Sequence, residues 1–212
     1  MMRTKHRFFI WQNAWLIVVL LAPGMNAWAD DLSPAELIQN TTGELLTKID
    51  QNRDEYNQDP QALKTLVRDD LLPLLDQEYS ARLILGRHGR GLPQEKIAEF
   101  GEALSSALTD RYATGLLRFR GELQMEIMPS GPKDNERLTR VRTRVKLENG
   151  GAALVDYAFR KTDDGWKVFD VTIEGISYVM TFRNQLGPKV ASQGIDQVTA
   201  DLRAGKIEVV ES

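Results

Sequence analysis

The hydrophobic period changes near residue 120, and that change limits the fold more than any single motif. Before it, apolar residues recur three and four apart: Ile97, Phe100, Leu104, Leu108, Tyr112 and Leu116 form one stripe. After it they alternate with polar residues. Leu123, Met125 and Ile127 interleave with Glu122, Gln124 and Glu126. Val141, Thr143, Val145 and Leu147 interleave with Arg140, Arg142, Arg144 and Lys146. A period of 3.6 belongs to a helix with one buried face, and a period of 2 to a strand with one buried face. Helices followed by strands give an α+β class, in which helices must cover the sheet's apolar face.

Local signals set the element ends. Ser33-Pro34-Ala35-Glu36 is a capping box with proline at the first helical position, opening a helix that carries Leu37, Ile38, Leu45, Leu46 and Ile49. Asn52 to Gln58 reads as a polar break. Asp59-Pro60 opens a second helix, which Pro73 ends or bends. Tyr79 to Leu85 predicts a short helix stopped at Gly86, and Pro93 starts the long one. Helix resumes over Ser177 to Val190 and Ile195 to Arg203, and Gly205 to Ser212 is expected to be a flexible tail.

The strand half predicts a four-stranded, curved antiparallel meander. Asn149-Gly150-Gly151 is a hairpin signal. A three-residue loop there sets Val145 against Val155, Thr143 against Tyr157 and Val141 against Phe159, and keeps all six on one face. It also sets Arg144 against Asp156, so the basic row reads as cross-strand ion pairing with Asp156, Glu122 and Glu126 rather than as a nucleic-acid patch. Asp163-Asp164-Gly165 turns the chain into the last strand, Trp166 to Glu174.

The N-terminus reads as a secretory signal peptide over 1–29. Arg3, Lys5 and Arg7 precede a short apolar run, Trp15 to Ala22, and Ala27-Trp28-Ala29 offers a cleavage site after Ala29. The run is shorter than the roughly 20 residues a membrane span needs. Its removal takes three bases and no acids, leaving 24 Lys+Arg against 30 Asp+Glu, a net charge of −6. The expected mature protein is one domain over 30–204: helices over 33–117, sheet over 118–175 and helices over 177–204, with the tail at 205–212.

The remaining residues restrict the chemistry. The chain has no cysteine, which excludes disulfides, thiolate nucleophiles and thiolate metal sites. His6 leaves with the leader, so His88 is the only histidine, in the basic stretch Gly86-Arg87-His88-Gly89-Arg90. One histidine cannot build a His-rich metal site, and no G-x-S-x-G elbow or phosphate-binding glycine loop is present. Asp170 and Glu174 share a strand face but lie roughly 13 Å apart, too far for a glycosidase pair. Asp156 and Asp170 lie on adjacent strands, and either would be the general base if the fold were a small cone-shaped enzyme. No cofactor and no catalytic residue is assigned.

What is abundant is apolar surface. Tyr157, Phe159, Val168, Phe169, Val171, Ile173, Ile176, Tyr178, Val179 and Phe182 cluster in the last third. With Phe100, Leu104, Tyr112 and Leu116 they either fill a solid core or line a cavity, and periodicity leaves both open.

Several stretches in order resemble the MlaC family of periplasmic phospholipid-binding proteins, also called toluene-tolerance proteins. They are Leu71-Leu72-Pro73-Leu74-Leu75-Asp76, Ala81-Arg82-Leu83-Ile84-Leu85-Gly86-Arg87, Arg111-Tyr112-Ala113, Val155-Asp156-Tyr157, Gly165-Trp166-Lys167-Val168-Phe169-Asp170-Val171, Ile173-Glu174-Gly175-Ile176-Ser177 and Phe182-Arg183-Asn184-Gln185. Gly89 and Met180-Thr181-Phe182 depart from the family's pattern.

The resemblance implies a periplasmic carrier that shuttles glycerophospholipid between outer and inner membranes and maintains outer-membrane lipid asymmetry. It implies an outer-membrane lipoprotein complex and an inner-membrane ABC transporter with an MCE-type subunit as partners, and no nucleic acid. The expected ligand is a bound phospholipid, held by the apolar residues Phe100, Leu104, Tyr112, Leu116, Tyr157, Phe159, Phe169, Val171, Ile173, Ile176, Val179 and Phe182. Exposing two acyl chains of roughly 28 methylenes costs on the order of 20 kcal/mol, so a carrier must enclose the tails. An enzyme using Asp156 or Asp170 and a periplasmic chaperone or interaction module are the alternatives.

Overall fold

The structure is a computed structural model, and it describes residues 32–118, 125–129, 135–146 and 150–209. The signal peptide and its cleavage site lie outside the described residues, as do Glu122, Leu123 and Leu147. The class is α+β: seven α-helices and one five-stranded antiparallel sheet among the described residues.

The helical half follows its local signals. Helix α1 (Pro34–Gln51) starts at the reciprocal Ser33/Glu36 capping box. Asn52 to Gln58 is not a break: Arg53–Gln58 forms a short helix, α2, which buries Tyr56. One aromatic among six polar residues gives little periodic signal, and tertiary burial of Tyr56 decides the conformation. Helix α3 (Pro60–Asp70) is capped by Asp59, which accepts from the N–H of Gln61 and of Ala62. A 3-10 turn at Leu72–Leu74 follows, then α4 (Gln77–Leu85), which ends where Gly86 takes φ +53°. Helix α5 (Gln94–Tyr112) is shorter than its stripe predicts. Ala113–Arg118 tightens into a 3-10 turn, so Leu116 leaves the stripe and packs near Ala113 in the α1–α3 core.

The sheet runs β1 (Met125–Met128), β2 (Leu138–Lys146), β3 (Ala152–Thr162), β4 (Gly165–Ile173) and β5 (Ile176–Ser177), each paired with the next. The predicted meander had four strands. The fifth is a two-residue edge, too short for any period, formed by the turn at Glu174 and Gly175. Glu174 holds φ +48° there, and its carboxylate accepts the N–H of Leu154 at 2.6 Å.

The β2–β3 register is corrected by two residues. Val145 faces Ala153, Thr143 faces Val155, Val141 faces Tyr157 and Arg142, not Arg144, faces Asp156. The described pairing closes at Lys146 with Ala152, and part of the predicted loop lies outside the described residues. A shift of two leaves every side chain on its predicted face, which is why alternation could not detect it.

Three apolar cores result. Helices α4 to α7 form one, with α6 at Tyr178–Gln193 and α7 at Ile195–Arg203. Helices α1 to α3 form the second. The start of α1 and the 3-10 turn cover Val141, Phe159 and Val168 of the sheet in the third. The tail also differs from expectation over its described part. Ile207 and Val209 are buried in the first core, and the backbone carbonyls of Glu208 and Val209 accept from Gln185 and Tyr112.

Candidate functional site

Two carboxylates and one irregularity in β4 position the site. Ala158 pairs with Asp170 but Phe159 pairs with Val168, so Phe169 is an extra residue without a partner. Such a bulge bends the strand and re-aims a side chain. Here it breaks the alternation that would put Val168 and Val171 on opposite faces, and both join the sheet core.

Helix α4 is bound to β4 at this bulge, beyond the reach of β5, which pairs only with Thr172 and Ile173. The Asp76 N–H donates to the Val168 carbonyl at 2.7 Å, and the Ser80 hydroxyl to that of Phe169 at 2.7 Å. The Asp76 side chain caps α4 by accepting from Tyr79 N–H at 3.0 Å, and it accepts two bonds from Arg160, at 2.8 and 2.5 Å. The Arg160 guanidinium also lies over the Tyr79 ring, 4.5 Å from its centroid, and Tyr79 meets Phe169 edge-on at 5.2 Å. Helix α6 is bound by Asp170, whose two oxygens accept from the Ser177 hydroxyl at 2.7 Å and the Val179 N–H at 3.0 Å. Helix α5 approaches α4 closely at Gly101, where a Cβ would meet the Gln77 carbonyl at 2.9 Å.

Between these elements lies a cavity of about 170 Å³. Its apolar wall includes Ala81 and Ile84 of α4, Leu104 and Leu108 of α5, Val179 and Phe182 of α6, and Val168, Phe169 and Val171 of β4. Gln77, Ser80, Ser105, Asp170 and Tyr178 contribute the polar groups, and among the described residues no Lys, Arg or His lines it. The cavity thus separates the α4–α7 core from the sheet core. An outer trough of about 910 Å³, past Tyr79, Arg137, Arg160, Lys161 and Asp163, is larger but open and charged, so it cannot keep alkyl chains dry.

Five of the twelve expected residues line the cavity: Leu104, Phe169, Val171, Val179 and Phe182. Phe100 and Phe159 are fully buried in the helical and sheet cores, and Tyr157 packs in the sheet core, where burial pushes its phenol pKa up. Leu116 belongs to the α1–α3 core. Ile173 is half-buried outside the cavity lining, while Tyr112 and Ile176 are exposed. Sequence reasoning missed Ala81 and Ile84, whose i, i+3 spacing on a short helix was the only signal, and Leu75, which precedes that helix.

The two carboxylates considered as bases are both held. Asp156 accepts 2.8 and 3.0 Å bonds from Arg142, with Arg140 at 3.5 Å. The Arg142 bonds, aided by the charge of both arginines and opposed by burial, hold its carboxyl below the usual range. Asp170 is held by Ser177 and Val179, so both of its oxygens already accept a hydrogen bond.

The family model described as MlaC protein matches residues 39–204. The chain is similar to the intermembrane phospholipid transport system binding protein MlaC of Haemophilus influenzae, 27% identical over 177 residues and covering 82% of each chain. It is 26% identical over 193 residues to the toluene tolerance protein ttg2D of Pseudomonas putida, covering 90% of this chain and 89% of that one. Its fold matches a phospholipid-binding protein from Ralstonia solanacearum, solved in complex with a phospholipid. The TM-score is 0.70 at 22% identity, over 80% of this chain and 94% of the other.

Proposed function

The chain belongs to the MlaC family, and from that premise we propose that it is a periplasmic carrier of glycerophospholipid, holding acyl chains in the cavity between α4, α5, α6 and β4. The observation that carries the reading is this cavity: a largely apolar wall, no cation among its described lining residues, and two of its polar side chains, Ser80 and Asp170, already hydrogen-bonded within the protein. Such a lining favours alkyl chains and leaves a charged head group better served by water.

Its size adds a mechanical requirement. At about 170 Å³ the cavity is smaller than the 300–1,000 Å³ typical of pockets that enclose drug-sized ligands. Two acyl chains enter only if the helices part from β4. The attachments of α4 and α6 at Asp76 and Asp170 are then the fixed ends, and the apolar contacts of α5 and α6 across the cavity are the part that yields.

The carrier collects lipid at one membrane and surrenders it at the other, with an outer-membrane lipoprotein complex and an inner-membrane ABC transporter bearing an MCE-type subunit as its partners, and so maintains outer-membrane asymmetry. A carrier rather than a catalyst is supported by the engagement of both Asp156 and Asp170. Native mass spectrometry of the purified protein, followed by lipid extraction, tests the reading. One co-purified phospholipid, lost on extraction, is expected. A protein that stays unloaded after incubation with phospholipid vesicles overturns it.

A further inference from the structure

Several cations packed around the helices sit against an acid: Arg82 on Glu78, Lys96 on Asp196, Arg160 on Asp76. A notch of about 430 Å³ between the Gly86–Gly89 turn and the outer side of α6 breaks this pattern. Arg87, His88, Arg183 and Asn184 line it, and no carboxylate does among the described residues. It shares no lining residue with the cavity: Phe182 lines the cavity and Arg183 the notch.

The notch has a built shape. A Cβ on Gly86 would lie 2.7 Å from the Arg183 guanidinium, so only glycine lets Arg183 lie against the turn. On α6, Gly187 leaves the space in front of the His88 ring open, the nearest atom to its missing Cβ being His88 Cδ2 at 4.0 Å. Arg87 Nε donates to His88 Nε2 at 3.3 Å, which ties both residues to one side of the notch. Two arginines, a histidine and an asparagine thus line one notch with no acid among its described lining residues, in a chain whose formal charge is negative. Guanidinium forks match the paired oxygens of a phosphate, and an anion there relieves the repulsion between the two arginines.

We propose that this notch binds a phosphate oxyanion, supplied either by a lipid head group at a membrane surface or by free phosphate. The site is separate from the acyl cavity, so it does not depend on the cargo.

His6 and His88 are the only histidines, so His88→Gln assigns the His88 imidazole signal in a proton NMR spectrum. Inorganic phosphate, titrated at constant ionic strength against chloride, is expected to move that signal saturably while chloride does not. Arg183→Gln and Arg87→Gln are each expected to weaken binding roughly tenfold. Arg87 is exposed, which guards against misfolding as the cause. Phosphatidylglycerol and phosphatidylcholine vesicles form a second arm, read by co-sedimentation. Retention on phosphatidylglycerol that Arg183→Gln removes and phosphate competes identifies a lipid head group; phosphate binding without retention identifies free phosphate. No saturable phosphate shift, or an equal shift in chloride, overturns the site whether or not the protein carries lipid.

Discussion

Asp170 accepts the backbone N–H of Val179 at 3.0 Å, so a carboxylate that lines the cavity also holds the first turn of the helix that closes it. Ser177 completes the arrangement by donating to the other oxygen and accepting the Met180 N–H. Replacing Asp170 with Ala removes both bonds and is expected to cost about 1–3 kcal/mol, the range for a part-buried charged acceptor. The thermal midpoint should fall, and lipid retained through purification should fall with it. A variant with wild-type stability and loading would show that the cap does not hold α6.

Cavity filling separates stability from function. Ser105 lines the cavity from α5 and is only partly buried. Ser105→Trp should abolish phospholipid co-purification while leaving the helical circular dichroism unchanged. Gly101→Ala should act differently, forcing α5 from α4 at the 2.9 Å approach and destabilising the fold by about 1–3 kcal/mol. Lipid analysis beside thermal denaturation distinguishes the two effects.

The observed register predicts which arginine matters. Arg142 makes the bidentate contact to Asp156, and Arg144 faces Leu154 and Glu126. Arg142→Ala should lower the urea midpoint measurably, whereas Arg144→Ala should stay within about 0.5 kcal/mol of the parent. The reverse order would restore the register that sets Arg144 against Asp156.

The same pair sets an acid dependence. Arg142 holds the Asp156 pKa below its ordinary value. A depressed folded-state pKa contributes stability that is complete above the unfolded value, near 3.9, and is lost as pH falls through the folded one. Asp156→Asn should therefore be less stable than the parent at pH 6 and converge with it below about pH 4. Urea denaturation at both pH values measures this, and a constant gap would rule the linkage out.

The docked tail gives a further outcome. Tyr112→Phe removes the bond to the Val209 carbonyl and should cost about 1 kcal/mol. Truncation after Lys206 should cost more, because it also uncovers the surface that Ile207 and Val209 bury. Hydrogen exchange in α5 and α7 would report the loosening directly.

Much of the fold was legible because its signals are short-range. The Ser33 box, the Asp59 and Ser177 caps and the Gly86 stop act within a few residues of where they are written. Strand faces were equally legible, since alternation alone assigns Val141, Thr143 and Phe159 to the buried side. The tail was misread for the converse reason: its isolated apolar residues have no period, and only the assembled α4–α7 core gives them a surface.

By itself, then, the amino-acid order determined the class, most helix ends and the side of the sheet each residue faces. Tertiary structure decided the β2–β3 register, the bulge at Phe169 and hence the composition of the cavity wall. A period of two is blind to a shift of two, and a bulge changes parity without any mark in the pattern. A cavity exists only where elements such as α4 and β4, some ninety residues apart in Ser80 and Phe169, fail to fill the space between them. That shortfall is a sum of volumes over the packed molecule, which no local stretch of sequence contains.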